Sequence, residues 1–159
     1  MLAQVVIFSN ICQIRFYSLF LPYKKPIEMS LKDKYQSALD YAKEVGAEME
    51  NFHEEDGHIV FNGTVATPYL RDSIWDKLKT INGLKKDDAA PAEVKANIKV
   101  SDDSVYHKHT VVAGETLGKI AKHYFDDASK YVAIFEANTD ILKDPNMIVV
   151  GQELSIPNP

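Results

Sequence analysis

The chain has 159 residues, of which 45% are apolar and 26% charged, with a formal net charge of −5. This supports one ordinary domain or two small packed ones rather than a disordered chain, and no Lys/Arg cluster supplies the dense cationic stripe that a nucleic-acid or anionic-membrane surface needs. The single cysteine, Cys12, excludes an intramolecular disulfide or a Cys-based zinc site within one chain, as is common in a reducing compartment.

Residues 1–28 differ from everything after them: apolar and aromatic, without glycine, and charged only at Arg15, Lys24, Lys25 and Glu28. Most of their cations follow the apolar stretch instead of preceding it, and Asn10 and Arg15 interrupt it, so a secretory signal fits poorly. No unbroken apolar run of about 18 residues is present for a transmembrane helix. Met29-Ser30-Leu31 reads as a natural chain start, with Ser30 able to cap a helix. Residues 1–28 are therefore read as a non-core leader or a mis-annotated start, and the protein as cytoplasmic; a degenerate export signal is the alternative and would place it in the periplasm or envelope. Without those residues the chain holds 22 acidic and 15 basic side chains, a charge of −7.

From Leu31 the apolar positions Leu31, Tyr35, Ala38, Leu39, Ala42 and Val45 recur at helical spacing, and Gly46 stops the run. Strands are predicted over Glu48–His53 and His58–Val65, joined at an Asp56-Gly57 pair whose residues tolerate the positive dihedrals of a tight hairpin turn. Ile59, Phe61 and Val65 share one face. Thr67-Pro68 opens a helix with Leu70, Ile74, Leu78 and Ile81 on its buried stripe and Trp75 beside it, ending at Asn82-Gly83. Lys85 to Pro91 reads as a solvated turn, and Val94–Val100 alternates as a last strand.

After Ser101-Asp102-Asp103-Ser104, residues His109 to Ala113 read as a strand, Gly114-Glu115 as a turn, and Thr116 as the cap of a helix reaching about Tyr124. Its inner stripe is Leu117, Ile120, Ala121 and Tyr124. Asp126 to Ser129 breaks the chain, and a second helix runs from Lys130 to Ala137 with Tyr131, Ile134 and Phe135 inward. Asn138 stands where a left-handed helix terminus takes Gly or Asn. An extended loop over Ile141–Val150 leads to Gly151 and a closing strand from Glu153 to Ile156.

The fold class read from this order is α+β: an αββαβ unit over residues 29–101, with a three-stranded sheet covered on one face by two helices, followed by a βααβ unit over residues 102–159. The first unit, with its Asp-Gly hairpin and its Phe61-Asn62-Gly63-Thr64-Val65 strand end, resembles a BON domain. That resemblance implies a partner-binding or scaffold role without a catalytic group. The second unit resembles a LysM domain at Gly114-Glu115-Thr116-Leu117, Phe135-Glu136-Ala137-Asn138, Asp144-Pro145-Asn146 and Gly151-Gln152-Glu153-Leu154.

LysM domains bind glycans containing N-acetylglucosamine in a shallow groove, so this resemblance implies peptidoglycan or N-acetylglucosamine oligomers as the partner. It nominates Gly114, Glu115, Thr116 and Leu117 on one bank and Met147, Ile148 and Val149 on the other. Backbone groups there would meet the acetamido group, and apolar side chains the sugar's C–H face. The usual residue at position 115 in that family is Asp, where this chain has Glu115. Bacterial proteins joining one BON to one C-terminal LysM domain include a cytoplasmic potassium-binding protein, so the alternative implied by the same architecture is a potassium-binding or stress-responsive protein in which the LysM unit is a docking domain. Potassium is then the one ion implied; otherwise no cofactor is expected.

Other candidates carry less. His107 and His109 lie two apart on one strand face, yet without cysteines and with only a generic supply of carboxylates they are not read as a metal pair. His53 and His58 flank the hairpin turn, and Glu54-Glu55-Asp56 reads as a solvated acidic tip. No phosphate loop, nucleophile elbow or His-Glu-x-x-His pair occurs, so no catalytic residue is assigned and the protein is not read as an enzyme.

Overall fold

A computed structural model describes residues 29–159. The leader reading of residues 1–28, and Cys12 with it, lies outside the described residues.

The first helical stretch is broken in two: α1 spans Leu31–Lys34 and α2 spans Gln36–Glu44, with Tyr35 between them at φ −97° and ψ 6°. The stripe survives the break, because Tyr35, Ala38, Leu39 and Ala42 are all buried. Ser30 caps α1 by accepting the Asp33 N–H at 3.1 Å, and α2 closes with Ala47 N–H donating to Ala42 C=O at 2.8 Å, a Schellman-type bond.

Strands β1 (Glu48–Glu55) and β2 (His58–Val65) form an antiparallel hairpin, two residues longer in β1 than its sequence suggests, with a bulge between Met49 and Asn51. Asp56 and Gly57 take φ +49° and +71°, the two positive angles of a type I′ turn that matches strand twist. Helix α3 (Pro68–Ile81) crosses to β3 (Val94–Val100), which pairs with β2 in parallel, giving the sheet order β1-β2-β3. Ile59, Phe61, Val65, Val94 and Ile98 point into one core with Ile74, Leu78 and the α2 residues. Of the stretch expected to be solvated, Pro91 is buried. Tyr35 anchors a polar knot there: its hydroxyl donates to Glu93 at 3.0 Å and Asn82 Nδ2 donates to it, while Lys34 pairs with Glu93 at 2.9 Å.

A second core begins at Tyr106. Strands β4 (His107–Thr110) and β5 (Glu153–Ile156) pair antiparallel, and α4 (Leu117–Phe125), a 3-10 turn (Ala128–Lys130) and α5 (Tyr131–Glu136) lie between them in sequence. Val111, Leu117, Ile120, Ala121, Ile134, Leu154 and Ile156 fill this core. The expected element order and α+β class are those observed. The first strand of this unit runs over His107–Thr110 where His109 to Ala113 was expected, and the expectations for two side chains also fail. The αL residue that stops a helix is Asp126 (φ +57°) at the end of α4, whereas Asn138 is not among the positive-φ residues; its buried amide instead donates to Ile134 C=O (2.7 Å) and Ser155 C=O (2.8 Å) and accepts the Ser155 N–H (2.8 Å). Tyr131, expected inward, is 40% exposed, because the 3-10 turn ahead of α5 sets which side of that short helix meets the core.

The two units meet at the start of α3. Thr67 is its N-cap residue but makes no side-chain cap; its hydroxyl is spent on His107 Nδ1 at 3.0 Å. The next free N–H, that of Tyr69, donates to Tyr106 C=O at 3.1 Å, so a carbonyl from the second unit caps a helix of the first. The Tyr69 ring packs with the second core, at 4.8–4.9 Å from the rings of Tyr124 and His107, and its hydroxyl lies 3.1 Å from His123 Nε2. Tyr106 hydroxyl returns a bond to Asp72 at 3.2 Å. No helix among the described residues is long and apolar enough to cross a membrane.

Candidate functional site

The second unit carries a groove of about 410 Å³ lined by Glu115, Thr116, Leu117 and Gly118 on one side and by Tyr131, Pro145, Asn146 and Ile148 on the other. All eight belong to the second unit, and the junction around Tyr69 involves none of them, so the first unit leaves the groove open.

The near bank is built by the turn after β4. Gly114 takes φ +83°, a conformation that L side chains rarely adopt, which lets Glu115 fold back so that its carboxylate accepts the Val112 N–H at 2.8 Å. The same oxygen meets His109 Nε2 at 2.8 Å. Those two bonds, the Val112 N–H first, hold the Glu115 carboxyl below the usual carboxylate range. Thr116 accepts the Lys119 N–H at 3.3 Å and starts α4. Lys119 Nζ in turn reaches Gly114 C=O at 2.7 Å.

The far bank comes from α5 and the loop after it. Asp144 accepts the Asn146 N–H at 2.8 Å and Met147 N–H donates to Asp144 C=O at 3.1 Å, making a tight turn inside the stretch expected to be extended. Tyr131 faces it from α5.

Of the seven nominated residues, the structure brings Glu115, Thr116, Leu117 and Ile148 to the groove. Leu117 is 2% exposed and belongs to the core, so it floors the groove more than it offers a contact. Gly114, Met147 and Val149 do not line it. Met147 and Val149 are 72% and 66% exposed, and the Val149 backbone is occupied by Gln152, whose side chain accepts its N–H at 3.1 Å. Sequence reasoning missed Gly118, Tyr131, Pro145 and Asn146. The Asp144-Pro145-Asn146 segment was visible as a motif and pointed at the turn; Tyr131 had no such signal, since helical periodicity does not separate a core stripe from its groove-facing rim.

His107 and His109 do share a face, but His109 is engaged at both ring nitrogens, by Glu115 and by Tyr124 hydroxyl at 3.0 Å. Among the described residues no three His, Cys, Asp or Glu side chains gather as a metal ion would require.

Comparison with known proteins identifies the second unit and a relative of the chain. The LysM domain family model matches residues 109–157, so the second unit is a LysM domain. The chain is 31% identical over 125 residues to the potassium binding protein Kbp of Escherichia coli O6:H1, a match covering 78% of this chain and 79% of that protein. An uncharacterized protein of Deinococcus radiodurans is 36% identical over 77 residues, 48% of this chain and 28% of its own length.

Proposed function

Because the chain belongs to the family of the potassium binding protein Kbp and carries a LysM domain, we propose that it is a non-catalytic binding protein whose groove takes N-acetylglucosamine-containing glycan of the peptidoglycan type. The observation that carries this reading is the open groove between Glu115–Gly118 and Tyr131, Pro145, Asn146 and Ile148. Its chemistry suits an uncharged amidosugar. Glu115 has its carboxylate turned inward onto Val112 and His109, and a phenol ring and an isoleucine supply apolar surface for a pyranose C–H face, the mixture expected of a small-ligand cleft. Isothermal titration with N-acetylglucosamine oligomers, alongside sedimentation with purified peptidoglycan, tests it. Saturable binding supports the reading; absence of heat and of co-sedimentation at millimolar ligand removes it.

A second reading, a potassium-responsive protein in which the LysM unit is a docking domain, is favoured by the length of the match to the potassium binding protein: 125 residues exceed the LysM domain and reach into the first unit, which we read as BON-like. The docking of Tyr69 into the second core fits that role. With no group of three or more acidic, histidine or cysteine side chains gathered among the described residues, such an ion would be held by backbone carbonyls and other neutral oxygens, which replace the hydration shell of potassium well. An ion that binds only the folded state raises its melting temperature by mass action. Identical melting curves in potassium and sodium chloride would eliminate this reading.

A further inference from the structure

His109 lies behind the near bank of the groove, 16% exposed at its side chain, and its two ring nitrogens link Glu115 of that bank to the hydroxyl of Tyr124, whose ring faces the first unit. Its tautomer follows from its neighbours. The ionised Glu115 carboxylate can only accept, so Nε2 carries the hydrogen and donates to it at 2.8 Å. In the neutral ring Nδ1 is then an acceptor, and the Tyr124 hydroxyl, 3.0 Å away, donates to it. Tyr124 is 6% exposed, and its ring packs edge-on against Tyr69 of α3 at 4.8 Å between centroids. Beyond Glu115 the chain of contacts continues to the Val112 N–H, which together with the Glu115 N–H to Val112 C=O bond at 3.3 Å closes the turn that forms the bank. Each step is a direct contact, and Asp at position 115 would be one methylene short of making both carboxylate bonds from the same backbone position.

We propose that His109 is a positioning residue for the groove: through Nε2 it fixes the Glu115 carboxylate under the Val112–Glu115 turn, and through Nδ1 and Tyr124 it braces that turn against Tyr69, so that the first unit sets the shape of the LysM groove. The ligand arm of this inference rests on the glycan reading; the brace itself does not. Because His109 and its two partners are satisfied only as a set, loosening any one frees the bank while leaving every groove-lining side chain other than Glu115 in place.

The test uses the full chain with His109→Gln, His109→Asn, Tyr124→Phe and Tyr69→Ala, each checked for folding by circular dichroism. Gln places its amide where Nε2 stands and keeps a donor for Glu115; Asn places its amide where Nδ1 stands and keeps only the link to Tyr124. Amide hydrogen exchange at Val112 is expected to be faster in His109→Asn, Tyr124→Phe and Tyr69→Ala, and to return toward the wild-type rate in His109→Gln relative to His109→Asn. The affinity for N-acetylglucosamine oligomers should fall about fivefold where exchange rises, the loss of one ordinary hydrogen bond. If the wild-type chain binds no glycan, the glycan reading fails and Val112 exchange alone decides the brace. Unchanged Val112 exchange in folded His109→Asn and Tyr69→Ala overturns the inference.

Discussion

Tyr69 belongs to α3 of the first unit by sequence, but its ring packs with the second core, 4.8 Å from Tyr124 and edge-on to it. An aromatic shared between two small cores makes them melt together. Replacing it by alanine removes a half-buried ring and its edge-to-face partners, a loss of about 1–3 kcal/mol for the coupling. Tyr69→Ala should therefore split one calorimetric transition into two. A single unshifted transition in this variant would mean that the junction does not couple the units.

The groove separates two kinds of side chain that look alike in sequence. Leu117 is a core residue at 2% exposure, so Leu117→Ala should cost about 2–5 kcal/mol of stability by opening a cavity. Tyr131 is 40% exposed on α5, so Tyr131→Ala should leave the melting temperature nearly unchanged and weaken binding of N-acetylglucosamine oligomers roughly tenfold, the scale of a single good contact. Paired thermal melts and titrations on the two variants check both. The opposite pattern, stability lost at Tyr131 and only affinity lost at Leu117, would contradict the assigned positions.

Much of this architecture is legible because it is dictated locally. Asp56-Gly57 permits one common hairpin turn, Ser30 and Thr116 are polar caps ahead of apolar stripes, and β2, β3 and β5 alternate with their burial. Illegible features are those settled between distant segments. Thr67 has the residue type of a cap, but a histidine 40 positions away takes its hydroxyl. Tyr131 fits an apolar stripe until the preceding 3-10 turn rotates it outward. The groove was half visible for the same reason: Glu115, Thr116 and Leu117 sit in a recurring motif segment and Ile148 lies two residues beyond another, while Tyr131 reaches the groove only through the packing of α5.

Asn138 puts such a distinction to the test. A left-handed helix terminus would accept glycine with little loss, whereas an amide bridging α5 to β5 would not. Its side chain makes three hydrogen bonds at 2.7–2.8 Å and is 2% exposed. Asn138→Gly leaves the Ser155 N–H and C=O without partners next to the core, which should cost about 2–4 kcal/mol. Asn138→Asp should be no better, since a carboxylate accepts from Ser155 N–H but cannot donate to either carbonyl. Chemical denaturation measures both; a midpoint unchanged by Asn138→Gly would restore the terminus reading.

Acid should act on the junction before it acts on the rest of the molecule. Burial first, then the neighbouring charges of His109 and His123, hold the His107 imidazole below its ordinary 6.5. The folded state thus binds a proton at this site less readily than the unfolded chain, and the sign follows: the stability tied to neutral His107 is fully present above 6.5 and declines as pH falls through its lowered value. Glu93, held down chiefly by the Lys34 hydrogen bond, and Glu115, held down chiefly by the Val112 N–H, act later, since their contribution is complete above 4.5 and lost only below it. Asp76, raised by burial, opposes them in the acid range. The melting temperature followed from about pH 8 to pH 3 should then fall in two steps. His107→Asn keeps an amide facing Thr67 but cannot take up a proton, so it should erase the first step and preserve the second. A first step that persists in His107→Asn would assign it to another group.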